Sequence, residues 1–273
     1  MHGRAMHQGA ARISPVGTIW LVAGTGDGPP LARALLQRGW RVVVSVVTPE
    51  AARAYPPDPL LTLLVGPLAD AAALGERLDQ LQPRWVVDAT HPFALQISAL
   101  LQAVCAARRQ ALLSLARPRA SARLPAAAAL QLQVLPSLAS LGNVDLCGER
   151  LLLAIGSRQL PLALALSGAT AHFARILDRP SSLQLALAAG IADGHLACLR
   201  PKPAGNGAVE RALCRRWAIS AVLCRQSGGR AEGLWQALCA DLGLRLLLIQ
   251  QPQAGWQPRS LTEAALLERL GTP

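Results

Sequence analysis

Arg84-Trp85-Val86-Val87-Asp88-Ala89-Thr90-His91-Pro92-Phe93-Ala94 is the stretch on which the fold turns. Its first four residues read as a short buried strand, and an acid, a hydroxyl and an imidazole emerge together where that strand ends. In an open α/β sheet this edge is where ligands bind. Proline suits the first helical position and holds the residue before it extended, so the pattern predicts a helix opened by Pro92 with His91 at its cap. Serine, threonine, aspartate or asparagine normally fills that place, which marks the imidazole as a candidate functional group.

Outward from this segment the chain alternates. Strand-like runs at 18–23, 41–47, 61–65, 84–87 and 111–115 are separated by helical stretches at 31–38, 70–81 and 93–109. That rhythm predicts βαβ units and a parallel sheet. A passage rich in Pro, Ala and Ser runs from Pro118 to about Gly148, holding one expected strand at 130–135, and the domain junction is placed inside it. The rhythm restarts with strands near 151–155, 173–177, 195–199, 221–224 and 244–249. The expectation is an α/β protein with two parallel-sheet domains and a cleft between them: 1–17 a disordered leader, 18–135 the first domain, 136–252 the second, 253–273 a C-terminal tail.

Composition agrees with a globular protein. Hydrophobic residues make up 52% of the 273 residues but aromatics only 3%, so Leu, Ala and Val must fill the core. The longest uncharged stretch, 124–144, is broken by Pro125, Gln131, Gln133, Pro136 and Asn143, so no membrane span is expected. With no signal-peptide run near the start, the cytoplasm is the expected compartment. The six cysteines are never closer than ten residues, leaving no Cys-x-x-Cys metal or redox pair. A net charge of +11 fits either nucleic acid or a small ligand bearing many carboxylates or phosphates. The arginines are scattered, without a long basic run or interleaved aromatics, which disfavours nucleic acid.

Several turns carry candidate chemistry. Gly24-Thr25-Gly26-Asp27-Gly28 joins the first strand to a helix opened by Pro29 and Pro30, where glycines admit a phosphate and a helix N-terminus offers N–H donors. The usual third glycine of a dinucleotide fingerprint would fall at Pro29, so an ordinary glycine-rich turn remains an alternative. Asp27 is suited to a ribose hydroxyl or a helix cap. After the second strand, Glu50 could meet a ribose 2′-hydroxyl, whereas Thr48 and Arg53 could accept a 2′-phosphate; the phosphate is favoured over the hydroxyl, and a plain solvated loop stays open as an alternative. Arg117-Pro118, Gly156-Ser157-Arg158 and Arg225-Gln226-Ser227-Gly228-Gly229 all follow strands, and arginine forks and glycine turns at equivalent edges argue for one shared anionic ligand. His172 and His195 begin strands at the opposite edge and read as structural.

These residues resemble the precorrin-6A reductase family and its cobalt-precorrin-6A counterparts in cobalamin biosynthesis. The resemblance spans about Thr18 to Pro252 and rests on Gly24–Asp27, Asp88–Ala94, Arg117-Pro118, Gly156-Ser157-Arg158, Ala174-Arg175-Ile176-Leu177 and Ser227-Gly228-Gly229. It implies two Rossmann-like domains, NADPH or NADH on the first glycine turn, a polycarboxylated tetrapyrrole in the cleft, and hydride transfer to a ring double bond. On this reading Gly24, Thr25, Gly26, Asp27, Thr48 and Arg53 bind cofactor. Asp88, Thr90 and His91 form the catalytic floor, with His91 the candidate proton donor. Arg117, Ser157, Arg158, Arg225, Ser227, Gly228 and Gly229 hold substrate carboxylates. The family usually has Gly-Pro-Phe where this chain has Arg200-Pro201-Lys202-Pro203-Ala204-Gly205, and often Lys-Asp where it has Arg225-Gln226.

A hydride reductase needs orientation and electrostatics more than a covalent nucleophile or metal, and neither a triad nor a metal set is legible. The rivals are another NAD(P)-dependent dehydrogenase and a non-catalytic nucleotide-sensing or nucleic-acid-binding regulator. The first lacks a Tyr-x-x-x-Lys pair, since the one tyrosine, Tyr55, is followed by Pro56-Pro57.

Overall fold

A computed structural model describes residues 17–24, 26–117, 130–200, 207–252 and 260–273. The expected leader, all but residue 17, lies outside them. The first unit contains β1 (Thr18–Ala23), α1 (Gly28–Leu36), β2 (Arg41–Val46), α2 (Pro49–Ala52), β3 (Leu61–Val65), α3 (Ala71–Leu81), β4 (Trp85–Ala89), α4 (Leu95–Ala107) and β5 (Leu112–Leu115). Alternation along β1 shows why the sheet is covered on both faces. Ile19 and Leu21 join one buried cluster with Leu31 and Leu35 of α1, while Trp20 and Val22 join another with Leu74, Leu78 and Leu101 of α3 and α4. Parallel strands require such double burial. Trp20 Nε1–H donates to Ser45 Oγ at 2.9 Å, satisfying the indole inside the core.

The second unit contains β6 (Leu132–Leu135), β7 (Arg150–Ala154), α5 (Leu160–Leu166), β8 (Ala171–Leu177), α6 (Pro180–Ala188), β9 (Leu196–Leu199), α7 (Ala208–Arg216), β10 (Ala221–Arg225), α8 (Arg230–Leu242) and β11 (Arg245–Ile249). Phe173, Trp217, Trp235 and Leu246 belong to one buried cluster of this unit. The chain then contributes β12 (Ser260–Leu261) and α9 (Glu263–Leu270).

Strand order is β12-β5-β4-β1-β2-β3 in one six-stranded sheet and β6-β11-β10-β7-β8-β9 in the other. Every pairing among the described strands is parallel. In the first sheet the chain runs outward from β1 to β3 and resumes with β4 on the other side of β1; in the second it runs from β7 to β9 and resumes with β10 on the other side of β7. The reversal falls between β1 and β4 in the first sheet and between β7 and β10 in the second, and such switch points are where open α/β sheets bind ligands.

Two expected boundaries move. β6, assigned by sequence to the first domain, pairs with β11 in the second sheet, Leu132 opposite Leu246. The first unit instead ends at Ala116 and is completed by the C-terminal residues. There β12 pairs with β5, and Leu266 and Leu270 of α9 are buried in the first unit's core, so the expected tail beyond 252 is in large part structural. Trp40 Nε1–H donates to the Gly271 carbonyl at 2.9 Å, and Pro273 packs on Gly17.

Candidate active site

At the first switch point Val22 pairs with Asp88 and Ala23 with Ala89, so the glycine turn and the 90–94 loop leave adjacent strands side by side. The glycines of the turn differ in what surrounds them. A Cβ on Gly24 or Gly26 would meet nothing within 4 Å. One on Gly28 would lie 2.0 Å from Tyr55 Oη and 2.7 Å from Ala23 Cβ. Gly28 is therefore glycine because helix, strand and tyrosine converge there, the packing role that the third fingerprint glycine fulfils. Gly24 and Gly26 have no such internal reason and leave room beside the backbone. Thr25 lies outside the described residues. Asp27 occupies the N-cap of α1 without a side-chain capping bond. The helix offers fewer donors than its position suggests, because Pro29 and Pro30 lack N–H groups.

The residues assigned to the ribose end follow β2. Thr48 caps α2, its Oγ1 accepting from Ala51 N–H at 3.3 Å, which leaves the hydroxyl proton uncommitted by that bond. Glu50 and Arg53 are exposed on the same short helix, Arg53 at its C-cap.

Asp88 is only 5% exposed. Its Oδ1 accepts from Thr90 N–H at 3.0 Å and from Thr90 Oγ1–H at 2.7 Å. Having given its proton to Asp88, the Thr90 hydroxyl accepts from Ser98 Oγ–H at 3.0 Å. The carboxylate thus holds the loop rather than projecting from it. His91 does project, but not as a helix cap. Pro92 and Phe93 form a turn in which Ala94 N–H donates to the His91 carbonyl at 2.8 Å, and α4 starts only at Leu95. Phe93 N–H donates to His91 Nδ1 at 3.2 Å, which fixes the tautomer with its proton on Nε2. Arg117, half-buried, follows β5 by two residues.

At the second switch point Cys224 pairs with Ala154, so the Gly156-Ser157-Arg158 and Arg225–Gly229 loops also emerge as neighbours. Gly156 takes φ 85°, a left-handed value natural to glycine, and a Cβ there would be 3.9 Å from the Arg225 guanidinium. Arg225 is half-buried, and that burial draws its pKa below the ordinary arginine value. Ser157 and Ser227 are buried and Arg158 is exposed. In the Ser227-Gly228-Gly229 turn a carboxylate of the chain's own already takes a backbone donor. Glu232, 1% exposed, receives the Gly228 N–H at 2.6 Å on Oε2 and the Gln236 Nε2–H at 3.0 Å on Oε1. Burial raises its pKa, opposed by the backbone N–H groups of Gly228 and Ser227. Sequence reasoning passed over Glu232, although a glutamate three residues after the Gly229 cap is the spacing of a capping box.

Among the family-like motif residues, Arg175 pairs with Glu210 at 3.6 Å and ties β8 to α7. Residues 201–206, where the sequence departs from the family pattern, lie outside the described residues. Burial pushes the Cys105 and Cys214 thiols up to about 11 and Cys239 to about 12, so none is a ready thiolate. Among the described residues no three His, Cys, Asp or Glu side chains are grouped to hold a metal ion, and no helix is long and apolar enough to cross a membrane.

The family model "Precorrin-6x reductase CbiJ/CobK" matches residues 18–269. The chain belongs to that family. The reductase is 32% identical over 246 residues to a cobalt-precorrin-6A reductase of Synechocystis sp., covering 88% of this chain and 91% of that one. It is 28% identical over 235 residues to a precorrin-6A reductase of Rhodobacter capsulatus, covering 85% and 87%. A solved structure titled CobK precorrin-6A reductase shares its fold with a TM-score of 0.76 at 24% identity, covering 94% of this chain and 98% of that one. This reductase is accordingly an oxidoreductase of cobalamin biosynthesis.

Proposed function

We propose that this reductase takes NADPH, in preference to NADH, on the Gly24–Gly28 turn and reduces a ring double bond of precorrin-6A or cobalt-precorrin-6A. The observation that carries the reading is the open space beside Gly24 and Gly26, next to the Thr90-His91 loop at the first switch point. A backbone free of Cβ atoms there lets a diphosphate approach the turn N–H groups. The relatives named above include both a cobalt-precorrin-6A reductase and a precorrin-6A reductase, so the ring is assigned as this pair.

When bound, the nicotinamide supplies the hydride. The chain's own residues orient and shield the reacting groups. Thr48 and Arg53 favour a 2′-phosphate. Asp88 fixes Thr90 and thereby the height of the loop that presents His91. With Nδ1 accepting from Phe93, His91 offers Nε2–H as a hydrogen-bond donor. Serving as an acid would require the imidazolium and break that bond, so the proton for the neighbouring carbon is assigned to solvent and His91 to orientation. Arg117, Arg158 and Arg225 answer the ring's carboxylates, with Ser157 and Ser227 beside them and Gly228 and Gly229 shaping the turn.

The direct test supplies the purified protein with precorrin-6A and with its cobalt form, each with NADPH and with NADH. Turnover is expected with one ring form and faster with NADPH; no turnover with any of the four combinations defeats the reading. A His91→Ala variant reducing its substrate at the wild-type single-turnover rate removes His91 from the reacting centre.

A further inference from the structure

Tyr55 is the one tyrosine of the chain and has no place in the reading above. It is 4% exposed, within the same buried cluster as Ala23, Leu31 and Leu35. Its hydroxyl nonetheless reaches out of that cluster, donating to the Gly24 carbonyl at 2.6 Å across 31 residues of sequence. The phenol also occupies the volume that any side chain at position 28 would need. It therefore touches both ends of the 24–28 turn, holding one by a hydrogen bond and limiting the other by contact. Burial pushes its ionisation far up, so it acts as a permanent donor at any working pH.

We infer that Tyr55 is a positioning residue that sets the shape of the glycine turn for a dinucleotide diphosphate; this rests on the proposal that the turn binds the cofactor. A buried ring anchored in the core restricts the freedom of a turn that the glycines themselves leave loose, so the turn is preorganised before ligand arrives. The diphosphate is common to NADPH and NADH. Loosening its cradle must then weaken both by the same factor, unlike a change at the ribose end, where Arg53→Ala should weaken NADPH alone.

The test is direct titration of NADPH and NADH against the whole protein and its Tyr55→Phe, Gly26→Ala and Arg53→Ala variants, with steady-state kinetics alongside. Tyr55→Phe keeps the ring and removes the donor. The expected result is roughly tenfold weaker binding of both nucleotides, the scale of one neutral hydrogen bond, with kcat at saturating cofactor and KM for the tetrapyrrole unchanged. Wild-type affinity for both nucleotides in Tyr55→Phe overturns the inference. So does a variant that melts early and loses kcat and tetrapyrrole affinity together, since that is a general structural role. If wild type binds neither nucleotide, or Gly26→Ala binds as wild type does, it is the assignment of the turn to cofactor that fails.

Discussion

The two switch points look alike in sequence and differ in the molecule. Each sets a glycine-bearing turn between a buried parallel strand and a helix, Gly24–Gly28 before α1 and Ser227–Gly229 before α8. The first leaves the space beside Gly24 and Gly26 open and is held from behind by Tyr55. The second is already filled by a carboxylate of its own helix, Glu232, which takes the Gly228 N–H that an incoming anion would need. In the second unit the cation set beside the turns is the half-buried Arg225 against Gly156, the residue proposed above to meet a substrate carboxylate.

Filling the open turn is the strongest way to break this contrast. Gly26→Leu should weaken NADPH binding by about 100-fold or more, while leaving the melting temperature near wild type because the side chain enters free space. Calorimetric titration and a thermal melt together read both halves of that expectation. Next in size, Arg225→Ala should raise KM for the tetrapyrrole roughly 10- to 100-fold, the value of a hydrogen bond to a charged group, and leave cofactor affinity alone. Equal damage to both ligands would erase the division of labour between the turns. Glu232→Ala should cost about 1–3 kcal/mol in urea unfolding by stranding the Gly228 N–H, with added acetate recovering part of it. If acetate does nothing, the turn is not a vacated anion cradle.

The smallest effect is a pH dependence. His172 has a buried Nε2 without a hydrogen-bond partner, and burial lowers its pKa below the usual 6.5. The unfolded chain then binds the proton more readily than the folded one, so stability declines as pH falls through and below about 6.5. Melts between pH 7.5 and 5 should show a decline that His172→Leu flattens; an identical slope in the variant excludes His172 as its source.

The alternation of helices and strands was legible because doubly covered parallel strands write runs of Val, Leu and Ile, as in Val42–Val44 and Leu246–Ile249. The site's strand edges followed from that alternation, and so did the candidate loops. Periodicity carries no information about which strands pair, so the strand at 130–135 falls to the first domain by sequence and β12, two residues long, falls in an expected tail. Pro92 misled for a local reason. It was read as a helix opener, but the Nδ1 of the preceding histidine accepts the Phe93 N–H and stabilises a turn first. Tyr55 had no signal at all, since its partner lies 31 residues away. Glu232 had one in its spacing from Gly229, masked by the more familiar look of the Ser-Gly-Gly turn.

The return of β12 and α9 to the first sheet also bears on how the protein is made. Leu266, Leu270 and the strand beside β5 belong to the core of the unit that contains β1, yet they are translated after the whole of the second unit. The first unit is thus the earlier to emerge and the later to be completed, the reverse of the usual N-terminal-first order of domain folding. Until 260–270 are made, its sheet lacks β12 and its core lacks Leu266 and Leu270.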